Sequence, residues 1–226
     1  MPAECDCLDQ FLSNLKKDKR NRLQDKFISQ VLDRGQLIFF EGDPASHLYL
    51  VEKGVIEANV IHGDGKVYIF HFVFPGEVFG EGVLYGQEYY PFSTVARKES
   101  LVWKAPADEV RAALDADPGF KSYIIGLLGE KLEQSYIKAR CVAGERVEKR
   151  VACILLKTIE EFGMHNCKER LDTPLTNRDI SGLIGSTEET VSRVMSRMKK
   201  EGIIAMEDKQ LVVLDREKLL GYFDSM

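Results

Sequence analysis

The stretch LTNRDISGLIGSTEETVSRVMSRMKKEGII, Leu175 to Ile204, decides the fold of the C-terminal third. Its first part, Leu175 to Ile184, reads as a short helix opened by Thr176 with Asp179 three residues later, a near match to a capping box. Gly185 makes a turn, Thr187 to Glu201 forms a second helix, and Gly202 ends it. On that second helix Val191, Val194, Met195 and Met198 fall at i, i+3, i+4 and i+7 and define the buried stripe. Ile203 to Met206 and Gln210 to Leu214 then flank Glu207-Asp208-Lys209 as a β-hairpin. Helix, turn, helix, hairpin is the order of a winged helix-turn-helix.

The buried stripe fixes the opposite face. Glu189, Ser192 and Arg193 project together near the N-terminus of the second helix, the portion of a recognition helix that reaches base edges. Arginine can make a bidentate pair with guanine O6 and N7, glutamate can accept from cytosine N4, and serine can bond either class of base. A structural reading competes with this one. Ser186 and Glu189 fit S-x-x-E, so Glu189 could cap the helix, and Glu189 with Arg193 is an ordinary i,i+4 ion pair.

Working outward, 226 residues suit two domains. The first 30 residues carry the apolar stripes of short helices, Leu8, Phe11, Leu12 and Leu15 followed by Leu23, Phe27 and Ile28. From Gln30 to Lys104 the pattern is β. Gln36–Phe40, Leu48–Val51, Val55–Ile61, Val67–Phe74 and Leu101–Lys104 are short Val-, Ile-, Phe- and Tyr-rich runs punctuated by glycine, as in a jelly roll. Asp108 to Ala116 is a helix, and from Pro118 a long helix runs to about Val142. Its stripe of Phe120, Ile124, Leu127, Leu128 and Leu132 predicts a dimer seam. Gly144 interrupts it, and a helix from about Glu145 to Phe162 opens the last domain. The expected class is α+β: an N-terminal β-roll sensor domain with its helices (1–117), a long dimerisation helix (118–143), and a winged helix-turn-helix domain (144–226).

Composition narrows the partners. The net charge of -5 argues against a general nucleic-acid coat, and residues 145–226 hold 14 basic and 15 acidic side chains against 17 and 21 elsewhere, so any DNA contact is local. No run approaches the 18 or so apolar residues of a membrane span, and the acidic N-terminus lacks signal-peptide order; no membrane partner and a cytoplasmic location are expected. Five scattered cysteines predict reduced thiols.

The segment Leu175 to Ile204 resembles the DNA-binding signature of the CRP/FNR family of bacterial transcription regulators. A second stretch, GQLIFFEGDPASHLYLVEKGVI (Gly35 to Ile56) with PGEVFGE (Pro75 to Glu81), is similar to that family's effector-binding β-roll. The resemblance covers roughly residues 20–220. It implies a homodimer on palindromic double-stranded DNA, with Glu189, Ser192 and Arg193 matching the E-x-x-S-R set that reads an FNR-type TTGA core. Thr176, Ser186, Thr187 and Lys199 are candidates for the DNA backbone, and RNA polymerase is a partner if the protein activates.

The effector is less constrained. The family's cyclic-nucleotide binders use Gly-Glu for the ribose, matched by Gly80 and Glu81, and Arg-Ser for the phosphate, where this chain has Pro91 and Phe92. A buried phosphate without a cation is uncompensated, which argues against cyclic AMP and makes Glu81 structural. An iron-sulfur cluster would draw on Cys5 and Cys7, whose spacing is narrower than in the family's cluster binders. Haem would need an axial ligand such as His47, His62, His71 or Met164, and no haem site is assigned. Cys141 and Cys153 read as ordinary helix residues, and Cys167 beside His165 as a redox or metal candidate. A small organic effector near Gly80, Glu81, Tyr89, Phe92, Ser135 and Tyr136 stays open, as does a redox effector. Two alternatives compete: a non-DNA-binding cyclic-nucleotide module, which leaves 175–214 unexplained, and a jelly-roll metalloenzyme, for which no paired H-x-H motif and no Ser-His-Asp or Cys-His constellation exists.

Overall fold

The structure, a computed structural model, describes residues 6–143, 146–162, 175–207 and 210–224. Two short helices come first, α1 (Cys7–Leu12) and α2 (Lys17–Gln24). Leu8, Phe11 and Leu12 are buried on α1, and Leu15, expected on the same helix, is buried beyond its end. The Glu52 carboxylate tethers the start of this helix, accepting the backbone N–H of Cys7 at 3.0 Å and of Leu8 at 3.1 Å and the Trp103 indole N–H at 2.9 Å. Ile28 departs from expectation: it opens a strand rather than continuing a helix, and its side chain is exposed.

Eight strands follow: β1 (Ile28–Leu32), β2 (Leu37–Phe39), β3 (His47–Lys53), β4 (Ile56–Ile61), β5 (Val67–Val73), β6 (Val78–Phe79), β7 (Ser93–Ala96) and β8 (Ser100–Pro106), with a 3-10 turn at Glu81–Tyr85. They form two four-stranded sheets, β1-β8-β3-β6 and β2-β7-β4-β5. The crossovers between sheets are those of a roll. The core is filled by Phe39, Leu48, Leu50, Ile56, Phe79 and Val102, while Glu57, Asn59 and Thr94 are buried polar residues on β4 and β7. Gly80 has φ +75°, and a Cβ there would stand 3.1 Å from the His47 carbonyl, so the turn into Glu81 needs glycine.

Four helices come next, α3 (Ala107–Ala116), α4 (Pro118–Val142), α5 (Val147–Phe162) and α6 (Asn177–Ile184). After them come α7 (Glu188–Lys200), the hairpin β9 (Ile204–Glu207) and β10 (Gln210–Val213), and α8 (Arg216–Asp224). The chain divides into two units, Met1–Ile61 with Ile69–Lys131, and His62–Tyr68 with Leu132–Met226, so the division falls inside α4.

That division corrects the expected dimer seam. Phe120 and Ile124 are 0 % and 2 % exposed in the core of the first unit, where Phe120 meets Phe11 edge-on at 5.5 Å, and Leu127 and Leu128 pack against the same core. The period of 3.6 places 120, 124 and 127 together, and the roll has already claimed that face. Of the predicted stripe only Leu132 is exposed, at 52 %; it shares its face with Ile125 and Tyr136, both also exposed.

Candidate nucleic-acid interface

In the second unit, α6 is fixed by a complete capping box: Thr176 Oγ1 accepts the Asp179 N–H at 3.2 Å and the Asp179 carboxylate accepts the Thr176 N–H at 2.8 Å. Gly185, at φ +62°, turns the chain toward α7. Arg150 of α5 donates to the Ile184 carbonyl at 2.9 Å and so satisfies a terminal acceptor of α6. Arg197 of α7 is held by Glu148 of α5 at 2.9 Å. That partner holds the Arg197 guanidinium pKa above its ordinary value, while a backbone hydrogen bond first and Arg197 second hold the Glu148 carboxyl below its own. Tyr222 of α8 donates to Glu201 at 3.2 Å. These ties fix α7 within its unit.

The stripe of α7 is buried as read from the sequence: Val191, Val194, Met195 and Met198. Its N-cap is Thr187, whose hydroxyl accepts the Thr190 N–H at 3.2 Å. The Ser186–Glu189 box therefore does not form, because the helix begins one residue later than that box requires. Glu189 sits in the first turn, where an acidic side chain suits the helix dipole, and its carboxylate lies 3.3 Å from Arg193. The two side chains are 81 % and 72 % exposed. Ser192 lies between them on the same face, half-buried.

The structure extends this face beyond the three predicted residues. A shallow groove along α7 is lined by Ser192, Arg193, Ser196, Arg197 and Lys200. The i, i+4 step from Ser192 to Ser196 to Lys200 and from Arg193 to Arg197 was the signal that could have found the rest. Thr176 and Thr187 have become caps, Ser186 donates its N–H to the Ser181 carbonyl at 2.9 Å, and Lys199 is exposed in the last turn. Of the hairpin, Asp208 and Lys209 lie outside the described residues.

In the first unit the Gly80–Glu81 corner is occupied by the chain itself. Lys131 of α4 lies 2.7 Å from the Glu81 carboxylate and also donates to the Val78 carbonyl. Phe92 sits among aromatic rings, with centroids 5.9 Å from Phe70 and His71 and 6.3 Å from Phe39. Tyr89 belongs to this unit and Ser135 and Tyr136 to the second; both tyrosines are exposed.

Among the described residues no three His, Cys, Asp or Glu side chains gather as a metal site. Cys7 is 2 % exposed with its thiol directed to the Glu52 carbonyl, a position that does not fit a cluster ligand. His47 contacts Ser46 Oγ at 2.8 Å, and burial, then Lys104, push its pKa down. Cys5, Met164, His165 and Cys167 lie outside the described residues. Cys141 and Cys153, expected to be separate thiols, are paired as a disulfide.

Residues 29–117 match the cyclic nucleotide-binding domain, and residues 149–222 match the Crp-like helix-turn-helix domain. The chain is 24 % identical over 189 residues to "Electron transport regulator A" of Shewanella oneidensis, covering 83 % of this chain and 75 % of that protein. It is 26 % identical over 194 residues to "Global nitrogen regulator" of Synechococcus elongatus, covering 84 % and 87 %. To "Fumarate and nitrate reduction regulatory protein" of Escherichia coli K12 it is 22 % identical over 214 residues, covering 94 % and 84 %. In fold it is similar to FixK2 from Bradyrhizobium japonicum, with a TM-score of 0.77 at 23 % identity over 87 % of this chain and 96 % of that one.

Proposed function

This chain belongs to the CRP/FNR family of transcription regulators, and on that premise we propose that it works as a cytoplasmic homodimer reading a palindromic, FNR-like operator through Glu189, Ser192 and Arg193. The observation that carries the reading is on α7: Thr187 supplies the cap, which leaves the Glu189 and Arg193 side chains projecting into solvent on the face opposite the buried stripe. Base edges are read by such exposed donors and acceptors at the start of a recognition helix. Ser186, Thr187 and Lys199 flank that face and suit phosphate contacts, with Thr176 at the start of α6.

Two-fold symmetry would set the half-sites about 34 Å apart, one helical turn of DNA. The seam we assign to the dimer is Ile125, Leu132 and Tyr136 on α4. Gly129 lies on that face with open space beside it, so a partner helix can approach closely. The effector is a small molecule or redox signal other than cyclic AMP, since Lys131 already neutralises Glu81 and the Phe92 ring stands where a phosphate would need a cation and a hydroxyl. As an activator it would also contact RNA polymerase.

Selection of binding sites from random DNA, run with wild type, Glu189→Gln and Arg193→Ala, tests the reading. A palindromic consensus that changes at one position per variant is expected. Identical preferences in all three proteins overturn it.

A further inference from the structure

Cys141 is the second-last residue of α4 and Cys153 lies on the second turn of α5. The structure brings their sulfurs into bonding contact with the Cα atoms 6.0 Å apart, a separation usual for a disulfide, across a sequence distance of 12. Both belong to the unit that carries the helix-turn-helix. On α5 the neighbours of Cys153, namely Val151, Ala152, Ile154 and Leu155, are buried. A bond at Cys153 therefore ties the end of α4 to the framework that positions α6 and α7.

Lys149, Arg150 and Lys157 lie within four residues of Cys153 on α5, with Arg150 donating to the Ile184 carbonyl at 2.9 Å and Lys157 to the Gln134 carbonyl at 3.2 Å. Cys153 is half-buried and Cys141 buried, so Cys153 is the sulfur an oxidant meets first. Cys7 has none of this: its thiol is sealed in the first unit's core.

We propose that Cys141 and Cys153 form a reversible thiol–disulfide site, exchanging with low-molecular-weight disulfides such as oxidised glutathione, and that its state sets how firmly α4 is joined to α5. The Cys153 thiolate attacks one sulfur of the oxidant and releases one thiol, leaving a mixed disulfide. The Cys141 thiolate, its proton passed to solvent, then attacks the Cys153 sulfur and releases the second thiol. The protein loses two electrons and two protons, and the oxidant becomes two thiols; excess thiol reverses both steps. A rigid joint changes the ordering cost of placing two recognition helices on one operator, so the two forms differ in DNA affinity. That last consequence alone rests on the operator reading.

The test equilibrates full-length protein in glutathione buffers from reducing to oxidising, traps free thiols, and maps bonds by peptide mass spectrometry. A Cys141–Cys153 linkage that opens and closes with the buffer is expected. No such linkage at the oxidising end, or linkages through Cys5 or Cys167 in its place, overturns the proposal. Hydrogen exchange of the amides of 147–155 gives a readout independent of DNA: slower exchange in the oxidised form is expected, and identical exchange in both forms overturns the constraint. On DNA selected as above, the two forms should differ at least about threefold in Kd, and Cys141→Ser and Cys153→Ser should each lose the redox dependence; equal affinities overturn the coupling. Absence of DNA binding in both forms would count against the operator reading alone.

Discussion

On α7, Glu189 and Arg193 keep 81 % and 72 % of their side-chain surface in solvent, whereas at the Gly80–Glu81 corner the carboxylate is 21 % exposed and already holds Lys131. Both places carry residues that the sequence singles out as candidate functional motifs. One presents its hydrogen-bonding groups outward from a capped, anchored helix, and the other has turned its group inward as an internal tie. The difference lies in the neighbours. Around α7 the capping and anchoring are done by Thr187, Arg150 and Glu148, which frees the outer face. At the corner a lysine from α4 answers the carboxylate, and the positions expected from the resemblance to bind a phosphate hold Pro91 and Phe92. Each place holds an ion pair, and the two differ in exposure: the Glu189–Arg193 pair stays in solvent, where a partner can compete for it, and the Glu81–Lys131 pair is largely buried.

The largest effect that sharpens this contrast lies where α4 enters the sensor unit. Phe120→Ala should cost about 3 to 5 kcal/mol of stability, because it empties a fully buried aromatic site against Phe11. Leu132→Ala, on the exposed face of the same helix, should leave the unfolding midpoint at low concentration nearly unchanged and weaken self-association in sedimentation. Equal destabilisation by both substitutions would return Phe120 to the seam.

Next comes the open face. Arg193→Ala should cost about 1 to 3 kcal/mol of affinity on the cognate site and relax preference at its guanine, because it removes a base-edge contact; losing a phosphate contact would weaken all sequences alike. Titration against the selected site and a base-substituted site separates these outcomes. Thermal stability should hardly move, since the pair it breaks is exposed.

How much of this was legible depended on locality. The buried stripe of α7, the Thr176–Asp179 box and the extent of α4 follow from spacing within a few residues, and each stands where the periodicity puts it. The two-residue β6 and four-residue β7 carry too few alternating positions to register, and β1 was hidden because Ile28 follows Leu23 and Phe27 at helical spacing. What failed were statements needing a partner far along the chain. Periodicity shows that Phe120 is apolar and facing something, and only the fold shows that the something is Phe11. The Glu81–Lys131 tie spans 50 positions and the Cys141–Cys153 approach depends on how two helices meet, so neither has a local signal. The candidate DNA-reading set lay within five residues of one helix, which is why it could be named from sequence while the effector corner could not.

The closed corner gives the next effect. Lys131→Met leaves a mostly buried carboxylate without its cation and should cost about 1 to 2 kcal/mol, between the values for exposed and buried pairs. Glu81→Gln should cost less, since an amide can still accept from Lys131. Calorimetry with cyclic AMP on the wild type should show no micromolar binding. Tight binding that disappears in Glu81→Gln would mean that the corner is as open as the α7 face, and the contrast between the two would collapse.

The smallest effect tests whether Arg197 is framework or reader. It lines the α7 groove beside Arg193 but is held by Glu148, and both side chains are partly exposed, so the pair contributes no more than about 1 kcal/mol after solvent screening. Glu148 has a folded-state pKa below its ordinary value, so its stabilisation is present above the unfolded pKa and is lost as pH falls through the folded one. Wild type and Glu148→Gln should therefore differ slightly in thermal midpoint near neutral pH, with wild type higher, and converge in the acid range below the usual glutamate pKa. A framework role predicts that Glu148→Gln also leaves the selected DNA consensus unchanged. If the variant shifts base preference instead, releasing Arg197 has added a reader to the face, and the groove along α7 would have to be counted as part of the recognition surface as far as Lys200.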